Sequence, residues 1–335
     1  MDKHIVIPLN ISQIQNDGLD FKDTNYHFPD YYKVLATVYL AIIDIFIIIG
    51  NVWVIFIILS KLRKSMYLLS SLVVSDLLTG ITSIPLYLLW LHHVDLFISH
   101  PMCFGSLMTS LFLTSASILN IVAMTTERYI AICHPMFHKS FVKVNFRVIL
   151  SVTIAGIWLT SFLISLFSFI FMKRDFLICS YYNVYNGQFL FWAIILGVFS
   201  PFCLLSVMYV KMFISVKKCF KREIVQRMSL TSSSSSQTRQ KNIYKALRKM
   251  VSTLCLVLTC FVFCWFPFFI TIVLRVVCKE CELPTLAYEI ILLLGLTNSF
   301  TNPIIYCLRH RSFRLSLRPG SYAEQERSNS HNFSD

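Results

Sequence analysis

The sequence predicts an all-α membrane protein, a seven-transmembrane helix bundle with a short amphipathic cytoplasmic helix. Hydrophobic residues make up 56% of the 335 positions and charged residues only 14%, a balance that is unusual for a soluble domain. Seven apolar runs also exceed the roughly 20 residues that cross a bilayer. These runs cover 33–60, 67–91, 101–133, 146–171, 187–215, 246–276 and 284–307.

The runs divide the chain into four predicted segments. Residues 1–32 form a polar N-terminal tail without the basic-then-apolar layout of a cleavable signal peptide, so the first run is expected to act as the membrane signal. Residues 33–307 form the seven-helix domain. Residues 308–318 are predicted to form an amphipathic helix whose arginines face anionic lipid, and 319–335 form the remaining tail.

The distribution of charge predicts the orientation of the chain. The formal net charge of +13 raises the possibility of a nucleic-acid partner, but that function needs basic residues clustered on one folded face. Instead, the segments 61–66, 127–147, 211–249 and 308–335 together hold 23 Lys and Arg against five acids, whereas the opposite segments hold seven against ten. The positive-inside rule then makes the N-terminus extracellular and the C-terminus cytoplasmic, with the lipid bilayer and no nucleic acid as a partner. Asn10, in an Asn-Ile-Ser sequon, is the expected glycosylation site.

Asp76 is the most conspicuous charged residue inside a span. A carboxylate at the bilayer centre costs about 2.5–3.5 kcal/mol on insertion scales and needs a partner or a function. Polar residues in other spans supply suitable amides and hydroxyls, and the group serves either as structural hydrogen bonding or as a site for a sodium ion at Asp76. These residues are Asn51, Ser117, Asn120, Asn298, Ser299 and Asn302.

Short motifs recur in all seven spans and carry a resemblance that covers nearly the whole chain. Their order and spacing resemble the rhodopsin-like (class A) G-protein-coupled receptors. The motifs are Gly50-Asn51-Val52, Ser75-Asp76-Leu77-Leu78, Glu127-Arg128-Tyr129, Trp158, Pro201 with Tyr209, Cys264-Trp265-Phe266-Pro267 and Asn302-Pro303-Ile304-Ile305-Tyr306.

This resemblance implies a plasma-membrane receptor, not an enzyme, that transmits binding of an extracellular ligand to a heterotrimeric G protein. Arg128, released from Glu127 beside Tyr129, is implied to contact the G protein. Tyr209 and Tyr306 are implied to turn inward and support the open cytoplasmic cavity. An acid that some relatives carry at the inner end of the sixth helix is replaced by Leu247, and we therefore expect some basal activity.

The resemblance also implies a disulfide between Cys103, at the top of the third span, and Cys179, in the second outer loop. Cys278 and Cys281 are separated by two residues on the same predicted side. We expect them to close a small loop of their own.

The expected ligand site lies in the outer half, where aromatic residues suit a ring or a cation. Phe268 and Phe269 after Trp265 resemble the biogenic-amine branch, which would favour an amine-like ligand. The aspartate of that branch is replaced by Ser110, which hydrogen-bonds an amine without neutralising it. Peptide, nucleoside and lipid ligands remain alternatives, as does a transporter or channel outside the receptor class.

Two further acids complete the expected ligand set. Asp44 lies about two turns outward of Asn51 and is expected either to hydrogen-bond the seventh helix or to act as a displaced counter-ion, together with Glu289. The full set of candidate ligand residues is Asp44, Ser110, Trp265, Phe268, Phe269, Tyr288 and Glu289.

Overall fold

The chain folds into a bundle of long helices in a computed structural model that describes residues 28–61, 67–97, 100–173, 176, 179–229, 234–278 and 283–309. Seven described helices are long and apolar enough to cross a membrane, which confirms the predicted fold class. They are α1 (Asp30–Lys61), α2 (Tyr67–His92), α3 (His100–Cys133), α4 (Phe146–Ser168), α5 (187–229), α6 (Ser234–Val277) and α7 (285–309).

The membrane-spanning stretches begin and end within three residues of the predicted runs. This agreement arises because the apolar length needed to cross a bilayer is fixed by its thickness. Helix α7 ends at Arg309. The remainder of the predicted amphipathic helix, both tails and Asn10 lie outside the described residues, so those expectations stay predictions.

The outer surface of this bundle is far more apolar than that of a soluble protein, and a few polar residues are buried inside its apolar core. Large apolar side chains such as Leu35, Leu59 and Ile170 are exposed on the outer surface, while Asn51, Asp76 and other polar residues are buried. A continuous exposed apolar surface marks contact with membrane or protein. The buried polar residues are therefore the candidates for function.

Helix α2 is interrupted by a π-helical turn over Thr79–Ser83, and Pro85 follows in the next segment, Ile84–His92. Proline has no N–H to donate and disturbs regular helical hydrogen bonding. The Thr82 hydroxyl donates to the Leu78 carbonyl at 2.6 Å and that of Thr79 to the Ser75 carbonyl at 3.0 Å. These side chains supply hydrogen bonds to backbone carbonyls beside the interruption.

Helix α7 consists of two segments, Thr285–Leu296 and Asn298–Arg309, which meet at Thr297. Pro303 lies in the second segment and leaves the carbonyl of Ser299 without its usual helical donor. The side-chain amide of Asn51 in α1 donates to this carbonyl at 3.4 Å. Gly50 allows the close approach, since a Cβ there would lie 3.1 Å from the Pro303 ring.

Helix α3 occupies the centre of the bundle and contacts α2, α4, α5 and α6, whereas α1 packs on α2 and α7. At the outer end, a disulfide joins Cys103 in α3 to Cys179 in the loop between α4 and α5, with Cα atoms 5.6 Å apart. The loop then forms a short helix, Tyr181–Val184. It is thereby held over the outer opening of the bundle.

Candidate ligand cavity and switch core

A cavity of about 80 Å³ lies in the outer half of the bundle, between α2, α3, α6, α7 and the loop after α4. Four of the seven predicted ligand residues line it, namely Ser110, Trp265, Tyr288 and Glu289. The predicted site is thus partly assembled. The other walls come mainly from α2 and the loop, through Tyr87, Trp90 and Tyr181 among others.

Glu289 is 2% exposed and forms part of the cavity wall. The hydroxyl of Tyr87 donates to Glu289 Oε2 at 2.8 Å, and the hydroxyl of Tyr32 lies 3.1 Å from that of Tyr87. The proton of Tyr87 is already donated to the carboxylate, so Tyr32 must be the donor in the second hydrogen bond. Helices α1, α2 and α7 are therefore joined by a chain of two phenols that ends on an acid.

Tyr181 brings the outer loop into the cavity. Its hydroxyl lies beside Ser110, and its ring packs edge-on against Phe268 at a centroid distance of 5.7 Å. Burial raises the pKa of the Tyr181 phenol well above its usual range, so the hydroxyl keeps its proton. Ser110, which replaces the aspartate of the amine branch, thus already has Tyr181 of the same chain beside it.

The remaining predicted ligand residues do not line the cavity. Asp44 Oδ1 points toward Gly80, where a Cβ would lie 2.8 Å away, and within the described part of the chain it has no hydrogen-bond partner. Neither expected role of Asp44 is seen here. Phe268 and Phe269 form a second layer, in contact with Trp265.

Three polar atoms in the cavity walls are buried without a hydrogen-bond partner among the described residues. They are Ser83 Oγ, Trp90 Nε1 and Ser180 Oγ, and each can donate a hydrogen bond. Buried polar atoms are usually paired in native proteins. Their presence around one cavity is typical of a site that a polar ligand or ordered water completes.

Asp76 is fully buried in the middle of the bundle. Asn302 Nδ2 in α7 donates to its Oδ2 at 2.7 Å, and the Ser299 side chain lies close to the carboxylate. Ser75 beside it hydrogen-bonds Ser117 of α3 at 3.2 Å. The structure therefore brings Asp76, Ser299 and Asn302 together, with Ser117 joined to the group through Ser75.

A second cavity of about 20 Å³ lies between the outer cavity and this polar core, and Ser117, Asn298 and Ser299 line it. A space of roughly 10–15 Å³ already accommodates one water. Asp76 Oδ1 has no hydrogen-bond partner within the described residues. Carboxylate, amide and hydroxyl oxygens are ligands for a hard cation, so the oxygen atoms of these residues fit the predicted sodium ion.

Trp265 forms the floor shared by the two cavities, since its side chain lines both. A Cβ at Gly295 in α7 would lie 2.9 Å from the Trp265 ring. The indole therefore packs directly on the α7 backbone. Movement of either element must be accompanied by movement of the other.

The inner half contains the residues implied in G-protein coupling. Arg128 Nη1 lies 3.7 Å from Glu127 Oε1, and the Tyr129 ring packs edge-on against His134 at 5.6 Å. The Tyr209 hydroxyl is hydrogen-bonded to Thr125 of α3 at 3.1 Å, and Tyr306 is buried in α7. Glu127 and Arg128 are partly exposed neighbours, so their attraction is modest.

Arg309, at the end of α7, donates a hydrogen bond to Ser252 Oγ of α6 at 2.8 Å. The sixth helix is the element that lacks the family's second acid at Leu247. The structure thus contains a different polar link between α6 and a neighbouring helix. Sequence reasoning missed it because Ser252 belongs to no motif.

The cysteine predictions can be compared directly with the structure. The disulfide between Cys103 and Cys179 is present, as expected from the resemblance. Cys278 is disulfide-bonded, while Cys281 lies outside the described residues, so their pairing stays a prediction.

Tyr87, Trp90 and Tyr181 are site residues that sequence reasoning missed. Tyr87 and Trp90 resemble ordinary apolar positions of a span, and the inward direction of Tyr181 depends on the loop fold. The one available signal for Tyr181 was its position two residues after Cys179, which the predicted disulfide holds beside α3.

The seven-helix bundle, its tied outer loop and its buried polar core define a membrane receptor of the rhodopsin type. The sequence profile described as 7 transmembrane receptor (rhodopsin family) matches residues 50–306, and the chain belongs to this family. Members couple extracellular ligands to heterotrimeric G proteins and are receptors rather than enzymes. Membership also decides against the transporter and channel alternatives.

Individual relatives include several amine receptors. The chain is 25% identical to 5-hydroxytryptamine receptor 4 of Rattus norvegicus over 89% of this chain and 79% of the relative. It is 25% identical to octopamine receptor beta-2R of Chilo suppressalis over 92% and 85%. Similarity also extends to the glucose-dependent insulinotropic receptor of Homo sapiens, at 28% over 61% and 60%.

Proposed function

We propose that this receptor binds a small amine-like molecule in the outer cavity and passes the signal to a heterotrimeric G protein at Arg128. The observation that carries the proposal is the outer cavity, whose described lining includes aromatic rings, hydroxyls and one acid. Its limited volume favours a compact ligand over a peptide or lipid. The similarity to serotonin and octopamine receptors supports the amine class.

The proposed route of the signal follows contacts between neighbouring elements. A ligand in the outer cavity contacts the indole of Trp265, which packs against Gly295. Displacement of the indole then shifts α6 relative to α7. Pro267 and Pro303 lie inside these two helices, where each removes a backbone hydrogen bond and makes bending less costly. At the inner end, Tyr209 and Tyr306 rearrange as Arg128 leaves Glu127 and meets the G protein.

The test is a ligand screen in cells that express the full chain with a promiscuous G protein. Amines, nucleosides, lipids and peptides are compared on the wild type and on Ser106→Phe, which fills the outer cavity because Ser106 lines it. Leu163→Phe, on the lipid-facing surface of α4, is the matched control. We expect an amine response that Ser106→Phe abolishes and Leu163→Phe retains, at equal surface expression.

A response to a peptide alone that survives Ser106→Phe would contradict the proposal. So would a nucleoside or lipid response with no amine response. Either result would move the ligand to one of the other classes that the sequence left open.

We further propose that Asp76, with Ser117, Asn298, Ser299 and Asn302, holds a sodium ion. Sodium bound there supplies a positive charge that stabilises the buried carboxylate. Sodium is expected to lower basal signalling in membranes from wild-type cells, with potassium as the ionic-strength control. Asp76→Asn should remove the difference between the two salts, and a difference that persists in this variant would exclude the site.

The proposed topology places the N-terminus outside the plasma membrane. The excess of basic residues on the opposite segments supports it. An epitope tag at residue 1 should be accessible to antibody on intact cells, and Asn10→Gln should increase the electrophoretic mobility of the mature receptor. Staining that requires permeabilised cells would contradict this orientation.

A further inference from the structure

The acidic wall of the outer cavity points to a specific site for a ligand's positive charge. Among the described residues that line the cavity, Glu289 is the only acid. It is almost completely buried, and within the described part of the chain no Lys, Arg or His forms an ion pair with it. A buried carboxylate without a basic partner is costly unless something compensates its charge.

The surrounding hydrogen bonds hold the carboxyl group of Glu289 in a fixed position. Tyr87 donates to Oε2, and Tyr32 in turn donates to Tyr87. Hydrogen bonds in series strengthen one another in a medium of low polarity, and donation to the carboxylate offsets part of the cost that burial imposes on its charged form. A ligand cation would offset more of that cost. A carboxylate accepts about four hydrogen bonds over its two oxygens, so acceptor capacity remains for a ligand.

Aromatic rings surround the same acid. Tyr87 lies 5.5 Å from Trp90 between ring centroids, both rings line the cavity, and Tyr288 is the neighbour of Glu289 in the chain. Faces of aromatic rings attract an ammonium group. An acid among aromatic rings is thus a suitable environment for an organic cation.

Ser110 stands at the α3 position that carries the counter-ion in the amine branch, and it is a poor site for an ammonium group. Ser110 cannot neutralise an ammonium, and the Tyr181 side chain from the outer loop lies beside it. A cationic ligand therefore gains little from approaching α3. The acid available to it lies across the cavity on α7.

We propose that Glu289, oriented by Tyr87 and Tyr32, is the counter-ion for a primary ammonium on a compact aromatic ligand, in place of an acid on α3. This inference rests on the proposed function, because it assumes that the outer cavity is the ligand site. Donors at Ser83, Trp90 and Ser180 are then available for oxygen atoms on the same ligand.

The experiment compares charged and neutral probes on intact receptor. 5-Hydroxytryptamine, octopamine and 2-phenylethylamine are tested against 2-phenylethanol, which keeps the ring and chain of 2-phenylethylamine but lacks the charge. At least one amine should activate the wild type, and the alcohol should be much weaker. Glu289→Gln keeps the shape and should lower amine potency by about 30-fold or more, because it leaves a buried ammonium without its partner.

Asp44→Asn is the matched control, because Asp44 is also an acid in the outer half but does not line the cavity. It should leave amine potency unchanged. Tyr87→Phe removes the hydrogen bond to Glu289 and should have a smaller effect than Glu289→Gln. Ser110→Asp combined with Glu289→Gln should recover part of the response, since it restores an acid on the opposite wall.

Several outcomes would overturn the inference. Equal amine potency in the wild type and Glu289→Gln, at equal surface expression, would remove Glu289 as the counter-ion while the proposed function stands. An alcohol as potent as the amine would exclude a charge anchor. If no probe activates cells, thermal unfolding of purified receptor with about 1 mM amine, the weak end of specific binding, replaces signalling, and an unchanged wild-type Tm would reject both proposals.

Discussion

The buried polar atoms that have no hydrogen-bond partner among the described residues differ in kind between the outer and inner halves of the bundle. Around the outer cavity the unpartnered atoms are Ser83 Oγ, Trp90 Nε1 and Ser180 Oγ, all of which can donate. In the inner core of the described chain, three such atoms are acceptors, the Oδ1 atoms of Asn51, Asp76 and Asn120.

Because of this difference, the two halves are suited to different bound molecules. The outer cavity offers donors and, among the described residues that line it, one acid, which suits a ligand with an ammonium and oxygen atoms. The inner half offers oxygen acceptors, which suits water or a small cation. Family motifs are kept in the inner half, whereas the outer half departs from the amine branch at Ser110.

The largest effect is expected from a change in the inner half that removes the contact with the G protein. Arg128→Ala should abolish ligand-stimulated G-protein activation while ligand binding in the outer cavity is retained. Arg147→Ala, an exposed arginine at the start of α4, is the control and should signal normally. Loss of ligand binding together with signalling would show that the halves are not separable in this way.

The next largest effect should come from the disulfide that holds the outer loop. Cys103→Ser with Cys179→Ser opens a connection across a sequence separation of 76 and should cost about 2–4 kcal/mol of stability. The expected readout is a lower Tm and a weaker ligand response. Cys203→Ser, an exposed free cysteine, should change neither, and an unaltered Tm in the double variant would show that the loop is held by packing alone.

Gly295→Ala tests the boundary between the halves. Its Cβ would lie 2.9 Å from the Trp265 ring, so the indole must shift, at a cost of roughly 1–3 kcal/mol. We expect altered basal signalling and reduced ligand efficacy. Gly156→Ala is matched, since no atom lies within 4 Å of its Cβ position, and equal behaviour of the two variants would mean that Trp265 does not link the halves.

The smallest predicted effect concerns the link between Arg309 and Ser252. Removing this partly buried hydrogen bond should cost about 1 kcal/mol and raise basal signalling several-fold, because α6 is held less firmly to α7. Ser252→Ala and Arg309→Gln should act alike, and their combination should add little. Independent, additive effects would show that the hydrogen bond is not what restrains α6.

The helices could be predicted from sequence because each apolar run matches the thickness of a bilayer. The polar residues of the inner core could be predicted equally well, because Asp76 and Asn302 are polar residues that need hydrogen-bond partners inside the membrane. The outer site was only partly predictable. Whether Asp44 faces the cavity depends on the rotation of α1 against Gly80, and the inward position of Tyr181 depends on how the loop folds back from Cys179.

The π-helical turn at Thr79–Ser83 has a consequence for comparing this receptor with its relatives. Tyr87 lies eleven residues beyond Asp76, where an uninterrupted α-helix, turning 100° per residue, would return it almost directly above Asp76. One extra residue in a turn sets everything beyond it back by about 100°. Tyr87 instead meets α1 and α7, at Tyr32 and Glu289. Residues of α2 can therefore be matched by simple counting below Thr79, whereas above Ser83 the angular phase of the helix must be compared as well.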